Sequence, residues 1–185
     1  MQEFLAELEG PVLLWIQEYV RNDFLTPFVT FITHLGDAGI IWIMLTILLL
    51  AYAKTRKTGA VMALSMILNA LATNVVLKNI LARTRPYEII DGLYSIVGRQ
   101  SDYSFPSGHS ACSFACAVVI YRYCPKKYGI SALIAAVLIA LSRLYVGVHF
   151  PTDVLGGALV GTLAALLACR IDQKWDFGKR ISPQK

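Results

Sequence analysis

Charge is scarce in this chain. Only 16% of its 185 residues are Asp, Glu, Lys or Arg, against about 25% in an ordinary soluble domain. Hydrophobic residues make up 56%, and the mean hydropathy is +0.57. That balance excludes a typical water-soluble domain and points to a polytopic membrane protein, for which the bilayer supplies the apolar surroundings. A disulfide framework is missing as well. The four cysteines, Cys112, Cys116, Cys124 and Cys169, lie in or beside apolar segments. Cys112 and Cys116 are four apart with His109 one turn earlier, a spacing that a metal site uses, but buried cysteine in an apolar helix is ordinary packing and is the preferred reading. Glu3, Glu7 and Glu9 stand where a signal peptide needs basic residues, so no cleavable signal is expected. No linker, internal repeat or low-complexity tract divides the chain, which reads as one membrane-embedded domain over residues 1–185.

The charges that are present are informative by position. Net charge is +5, from 17 basic and 12 acidic residues, and in a soluble chain it would hint at nucleic acid. Here eleven of the 17 basic residues fall in three places: Lys54, Arg56 and Lys57; Arg122, Lys126 and Lys127; and Arg170, Lys174, Lys179, Arg180 and Lys185. The positive-inside rule makes these segments cytoplasmic, and no nucleic-acid partner is expected.

Hydropathy predicts an all-α, polytopic transmembrane helix bundle. Spanning helices are expected at about Gly39–Ala53, Gly59–Leu81, Ser110–Tyr123, Gly129–Val146 and Asp153–Ile171. Some of these cores fall short of the roughly 20 residues that a full span takes. Residues 1–35 read as an N-terminal amphipathic helix (PVLLWIQEYVRND) plus a short apolar stretch, Phe24–His34, too short to cross alone. One further crossing there makes six spans, and a half-depth hairpin leaves five. Residues 36–171 then form the working bundle and 172–185 a cytoplasmic tail.

With the basic loops inside, the stretch around Gly36–Asp37, the long loop Arg83–Gly108 and the turn Gly147–Thr152 face the other side, and polar groups at a membrane boundary are where function is sought. In KNILARTRP, Lys78 and Arg85 are seven apart and share a helix face, and Pro86 ends the helix. Paired cations there suit an anion, or they snorkel to headgroups. In PSGH, Ser107 and Gly108 sit at a helix start, whose free N–H groups bind anions, with His109 at the mouth. A plain capped helix start is the simpler alternative. In SRLYVGVHFPTD, Asp153 lies four residues after His149 and can accept its ring N–H, leaving the other nitrogen free to attack, or it merely caps the next helix. Arg143 ends the preceding helix. Together the three stretches put three cations, a helix N-terminus and two histidines on one side, which is equipment for metal-free phosphoryl transfer through a covalent intermediate.

Lys78 followed by Arg85-Pro86, then PSGH, then Ser142-Arg143 with His149 and Asp153, resembles the three-part signature of the type-2 phosphatidic acid phosphatase (PAP2) family, in its integral-membrane branch. The resemblance runs from about Gly36 to Cys169. It implies that His149 is the nucleophile, that Asp153 orients it, and that His109 protonates the leaving oxygen and then activates water. It implies that Lys78, Arg85, Arg143, Ser107 and the Gly108 N–H hold the phosphoryl oxygens, with no metal and no other cofactor. The implied substrate is a lipid phosphate or diphosphate, as in bacterial enzymes that recycle undecaprenyl diphosphate, with phosphatidic acid and phosphatidylglycerophosphate as competitors. The implied setting is a bacterial plasma membrane with the site on the extracytoplasmic side, among membrane lipids. Two rivals remain at this point: a Ser107–His149–Asp153 hydrolase and a non-catalytic lipid-phosphate carrier. Outer-loop residues such as Tyr87, Glu88, Tyr94, Arg99, Asp102 and Tyr103 read either as headgroup contacts or as solvated loop.

Overall fold

Leucines and isoleucines point outward in this protein, and alanines point inward. In the computed structural model, which describes residues 2–175 and 177, Leu155, Leu159, Leu163 and Leu167 form one exposed stripe along the last helix, and Ile130, Ile134, Val137, Leu138 and Leu141 form another on the helix before it. The centre is packed with small side chains, including Ala111, Ala115, Ala117, Ala136, Ala165 and Ala168. Such a surface is costly in water and suits hydrocarbon. This is an integral membrane protein, and among the described residues it is helical, with no strand.

In chain order the helices are α1 (Gln2–Trp15), α2 (Leu25–Leu35), α3 (Ile40–Ala51), α4 (Arg56–Ala70), α5 (Lys78–Leu81), α6 (Pro86–Ile89), α7 (Gly108–Tyr123), α8 (Lys126–Tyr145) and α9 (Pro151–Trp175). Wider π-helical turns extend α1 over Ile16–Val20 and join α4 to α5 over Leu71–Leu77. Three runs are long and apolar enough to cross a membrane: the one that starts at Arg56, α8 and α9. α2 and α3 make a fourth if taken together, bent by 46° at the short turn Asp37–Gly39. α7, at 16 residues, is shorter than the roughly 20 that span unaided, and it occupies the centre, packed against α9, α8 and α4. Gly157 and Gly161 of α9 are what bring it close. A Cβ on Gly161 would stand 2.0 Å from the Ala111 carbonyl oxygen, and one on Gly157 2.5 Å from that of Ser107. Small residues at such a seam let two backbones approach.

The N-terminal region settles against one end of this bundle. Gln17 Nε2 donates to the Gly92 carbonyl (2.9 Å), and Arg21 donates to the carbonyls of Tyr145 (2.7 Å) and Tyr94 (3.0 Å). α1 is amphipathic, as the sequence predicts, but its buried side carries Glu9 beside Leu13, and its exposed side carries Phe4, Leu8, Val12 and Trp15. The apolar stripe is therefore turned away from the protein. The two short N-terminal segments behave differently from one another: α1 packs against α6, while α2 runs beside α8 and continues through the bend into α3.

One expected boundary holds and one moves. The second predicted span, Gly59–Leu81, does end at Leu81, where Ala82 turns left-handed (φ 41°). Arg85 is therefore not on a shared helix face with Lys78. It sits in an extended link (φ −79°, ψ 151°) that Pro86 imposes on the residue before it. At the other end α9 continues to Trp175, so the expected tail begins as helix. Residue 176 and residues 178–185 of that tail lie outside the described residues. The described residues of the basic segments gather at this end, where Asp172 accepts from Tyr123 Oη (2.7 Å) and pairs with Lys57 Nζ (3.3 Å).

Candidate active site

At the opposite end, the turn between α8 and α9 places His149 in the interior, and Pro151 then starts α9. Asp153, in the first turn of that helix, accepts the Phe150 N–H through Oδ2 (2.8 Å), which is half of a capping box. The same carboxylate accepts from Ser104 Oγ (2.5 Å) and from Arg83 Nη1 (2.8 Å), and its Oδ2 lies 3.5 Å from His149 Nδ1. The two sequence readings of Asp153, cap and histidine partner, are thus both realised by one group. Arg83 is the back wall of this arrangement. It is buried, bonds Glu9 Oε2 (2.6 Å), and stacks 4.0 Å over the Phe150 ring. Glu9 in turn accepts from the Thr152 N–H (2.8 Å).

Burial pushes the His149 imidazole down to about 3, helped by the Arg85 and Arg143 charges and opposed by Asp153. At neutral pH it is uncharged. A carboxylate on the Nδ1 side places the proton there, which leaves the Nε2 lone pair to accept from Arg85 Nη1 (3.4 Å) at the wall of the cavity.

That cavity holds about 480 Å³. Six of the eight residues singled out from the sequence line it: Lys78, Arg85, Gly108, His109, Arg143 and His149. The other two stand behind the wall. Asp153 backs His149, and Ser107 caps α7 by accepting from Ser110 N (3.5 Å), while its own N–H donates to the Asp153 carbonyl (3.0 Å). The Ser107 hydroxyl bonds Ser110 Oγ (3.1 Å) and makes no hydrogen bond to His149, so the Ser-His-Asp arrangement that a serine hydrolase requires is not assembled. Ile43 of α3 and Ile67 of α4 also line the cavity and are exposed on the outer surface, so it opens toward the lipid-facing side between these helices.

The three cations are not alike. Asp102, from the loop before α7, bridges two of them: its carboxylate contacts Lys78 Nζ and accepts from Arg85 Nη2 (2.5 Å), and its carbonyl accepts from Arg85 Nε (2.9 Å). Burial acts to raise this carboxyl, but Lys78 and Arg85 outweigh it and bring it down to about 2. Arg143 is different. It is 2% exposed, donates to Thr33 Oγ1 (2.6 Å), has no carboxylate within 4.0 Å among the described residues, and keeps a buried Nε with no partner. A buried guanidinium without a counter-ion is costly and is satisfied by an incoming anion.

On the far side of the cavity His109 bonds Asp37 Oδ1 through Nε2 (2.9 Å), and His34 Nδ1 bonds the other oxygen of Asp37 (2.7 Å). No group of three His, Cys, Asp or Glu suited to a metal ion occurs among the described residues.

Sequence reasoning missed Arg83, Ser104, Glu9, His34 and the role of Asp37, and left Asp102 as an undifferentiated loop residue. Ser104 lies two residues before Pro106 of PSGH, and Arg83 lies two before Arg85, so both are close neighbours of residues singled out from the sequence. What was lacking was their partners, which come from distant parts of the chain.

The PAP2 superfamily model matches residues 58–177. The chain belongs to the PAP2 superfamily. An undecaprenyl-diphosphatase of Sulfolobus acidocaldarius is 37% identical over 132 residues, covering 71% of this chain and 64% of that protein. The chain thus matches just under two thirds of that relative's length. Phosphatidylglycerophosphatase B of Bacillus subtilis is 35% identical over 167 residues, covering 84% of this chain and 79% of that protein. The crystal structure of Aquifex aeolicus LpxE superposes with a TM-score of 0.79 at 26% identity, over 88% of this chain and 95% of that one.

Proposed function

We propose that this PAP2 protein is a metal-independent lipid phosphatase that removes a terminal phosphate from a lipid phosphate or diphosphate at the extracytoplasmic face of a bacterial plasma membrane. The observation that carries the reading is Arg143, an unpaired buried cation beside two histidines in a cavity open to the lipid-facing surface. The basic clusters at the opposite end favour the orientation.

The chemistry follows from the geometry. The substrate phosphoryl group enters among Lys78, Arg85 and Arg143, with the Gly108 N–H and the Ser107 cap at the start of α7 as the floor. His149 Nε2 attacks phosphorus while the bond from phosphorus to the leaving oxygen breaks, and His109 gives that oxygen a proton. Asp153 balances the positive charge that develops on His149. His109 then takes a proton from water, the oxygen attacks the phosphohistidine, the P–N bond breaks, and phosphate leaves with His149 restored. Undecaprenyl diphosphate is the preferred substrate, because the Sulfolobus relative bears that activity in its name. Phosphatidylglycerophosphate is the second reading, favoured by the longer match to the Bacillus enzyme. A carrier would have no use for the two histidines and the carboxylate behind one of them.

Phosphate release from a panel of lipid phosphates, in detergent with excess chelator, tests the proposal. Wild type is expected to turn over with an acid-labile phosphohistidine trapped on quenching, and His149→Ala to give no release. A serine-linked adduct, or release dependent on added metal, refutes the mechanism. Faster release from phosphatidylglycerophosphate than from undecaprenyl diphosphate selects the second substrate.

A further inference from the structure

The chain has three histidines, and all three lie at the cavity end. Two have roles in the proposed reaction. The third, His34, is joined to His109 by a single carboxylate: Asp37 Oδ2 meets His34 Nδ1 at 2.7 Å and Asp37 Oδ1 meets His109 Nε2 at 2.9 Å. Side-chain exposure falls along this row, from 56% at His34 to 46% at Asp37 and 15% at His109.

The backbone is shaped for this contact. Asp37 sits in the turn between α2 and α3, where Ala38 (φ 49°) and Gly39 (φ 69°) are both left-handed. The turn lies directly on the first turn of α7. A Cβ on Gly36 would stand 2.6 Å from His109 Cδ2, and one on Gly39 would stand 2.8 Å from Cys112 Sγ. Only residues without a side chain fit at both positions, so the approach of Asp37 to His109 is fixed by the chain and does not depend on a mobile rotamer alone. The charged groups that bear on His109 are Asp37 from this turn, Lys78 from α5 and Arg143 from α8. Burial and the two cations oppose a positive imidazole, and Asp37 favours one.

We propose that Asp37 is the positioning residue for His109. It holds Nε2 as a donor, so that Nδ1 is the atom that serves the leaving oxygen, and it balances the imidazolium against Lys78 and Arg143. His34 holds the second carboxylate oxygen and keeps Asp37 turned inward. The inference rests on the reading of His109 as the acid in the proposed reaction. It needs no net proton from outside, because His109 regains from the attacking water the proton it gives to the leaving group.

A leaving group that needs no proton separates positioning from mere structure. Single-turnover formation of the phosphoenzyme is measured for the full chain in detergent, with a long-chain alkyl phosphate and with a nitrophenyl phosphate. Asp37→Asn is expected to slow the alkyl reaction by about 10- to 100-fold, part of the range that general acid catalysis supplies, with substrate affinity within about twofold of wild type. With the nitrophenyl ester the loss should shrink to about fivefold or less, which also reports that the variant is folded. Asp37→Glu should recover part of the alkyl rate, and His34→Gln should lose less than Asp37→Asn. An equal loss on both esters, or wild-type alkyl rates in Asp37→Asn while His109→Ala is slow, overturns the inference and leaves the proposed reaction standing. Wild-type alkyl rates in His109→Ala overturn both.

Discussion

The two histidines face each other across one cavity, but they are held in different ways. On the His149 side the carboxylate is fully buried, and three further groups satisfy it: the Phe150 N–H, Ser104 and Arg83. On the His109 side the carboxylate is nearly half exposed, and two imidazoles hold its two oxygens. A nucleophile must be presented at one distance and angle, so its support is rigid and dry. A group that gives and takes protons with water must stay within reach of it, so its support is open. On the proposed reading, the burial around each histidine matches the half of the reaction it serves.

The largest expected effect breaks the rigid side. Asp153→Asn leaves an amide facing His149 and should reduce phosphoenzyme formation by about 10⁴-fold, as loss of the orienting carboxylate does in a catalytic triad. Asp37→Asn, on the open side, loses far less by the measurement described above. Similar losses at both positions would erase the contrast.

Next comes Arg83→Met, which removes the guanidinium that joins Asp153 to Glu9. Two buried carboxylates are left without it, and breaking a buried pair in this way costs about 3–5 kcal/mol. Thermal unfolding in detergent should show the drop. Double replacement with Glu9→Gln should recover part of it, because one of the stranded charges is then gone.

The smallest effect concerns Asp102. Its carboxylate occupies Lys78 and Arg85, where a phosphate would compete with it. Asp102→Asn should tighten inhibition by inorganic phosphate by about tenfold, on the scale of one charge-assisted hydrogen bond. Because this carboxyl lies well below its ordinary value, at about 2, it stays ionised through the neutral range. The contact is present above that value and is lost as pH falls through it, so the difference between wild type and variant should not vary around neutrality. Inhibition constants measured across neutral pH check this.

The parts of the site that could be read in the sequence are those written within a few residues of one another. PSGH carries its own cap, and His149 and Asp153 are one helical turn apart. The helix boundaries of α7, α8 and α9 follow from hydropathy to within a few residues. Lys78 and Arg85 converge as expected, but by a different route: the helix stops at Leu81, and Pro86 holds Arg85 in an extended link. Three things were not legible. The inward turn of Glu9 depends on Arg83, 74 positions away, and amphipathicity alone does not say which side faces the protein when the surroundings are lipid. The bend between α2 and α3 depends on the space beside His109. The Asp37 contact joins residues 72 positions apart, and a sequence read one stretch at a time holds no trace of it.

Asp102 also changes what it means for a ligand to arrive. The cation pair is never bare, so occupation by phosphate is an exchange of one anion for another, and only the difference in attraction is gained. A phosphodiester, the linkage of bulk bilayer lipids, brings one negative charge to that exchange, while a terminal phosphate monoester brings about 1.5 to 2 near neutral pH. On the proposed reading, a single loop carboxylate sets the threshold that an incoming anion has to pass, and the more highly charged monoester passes it more readily than a headgroup diester.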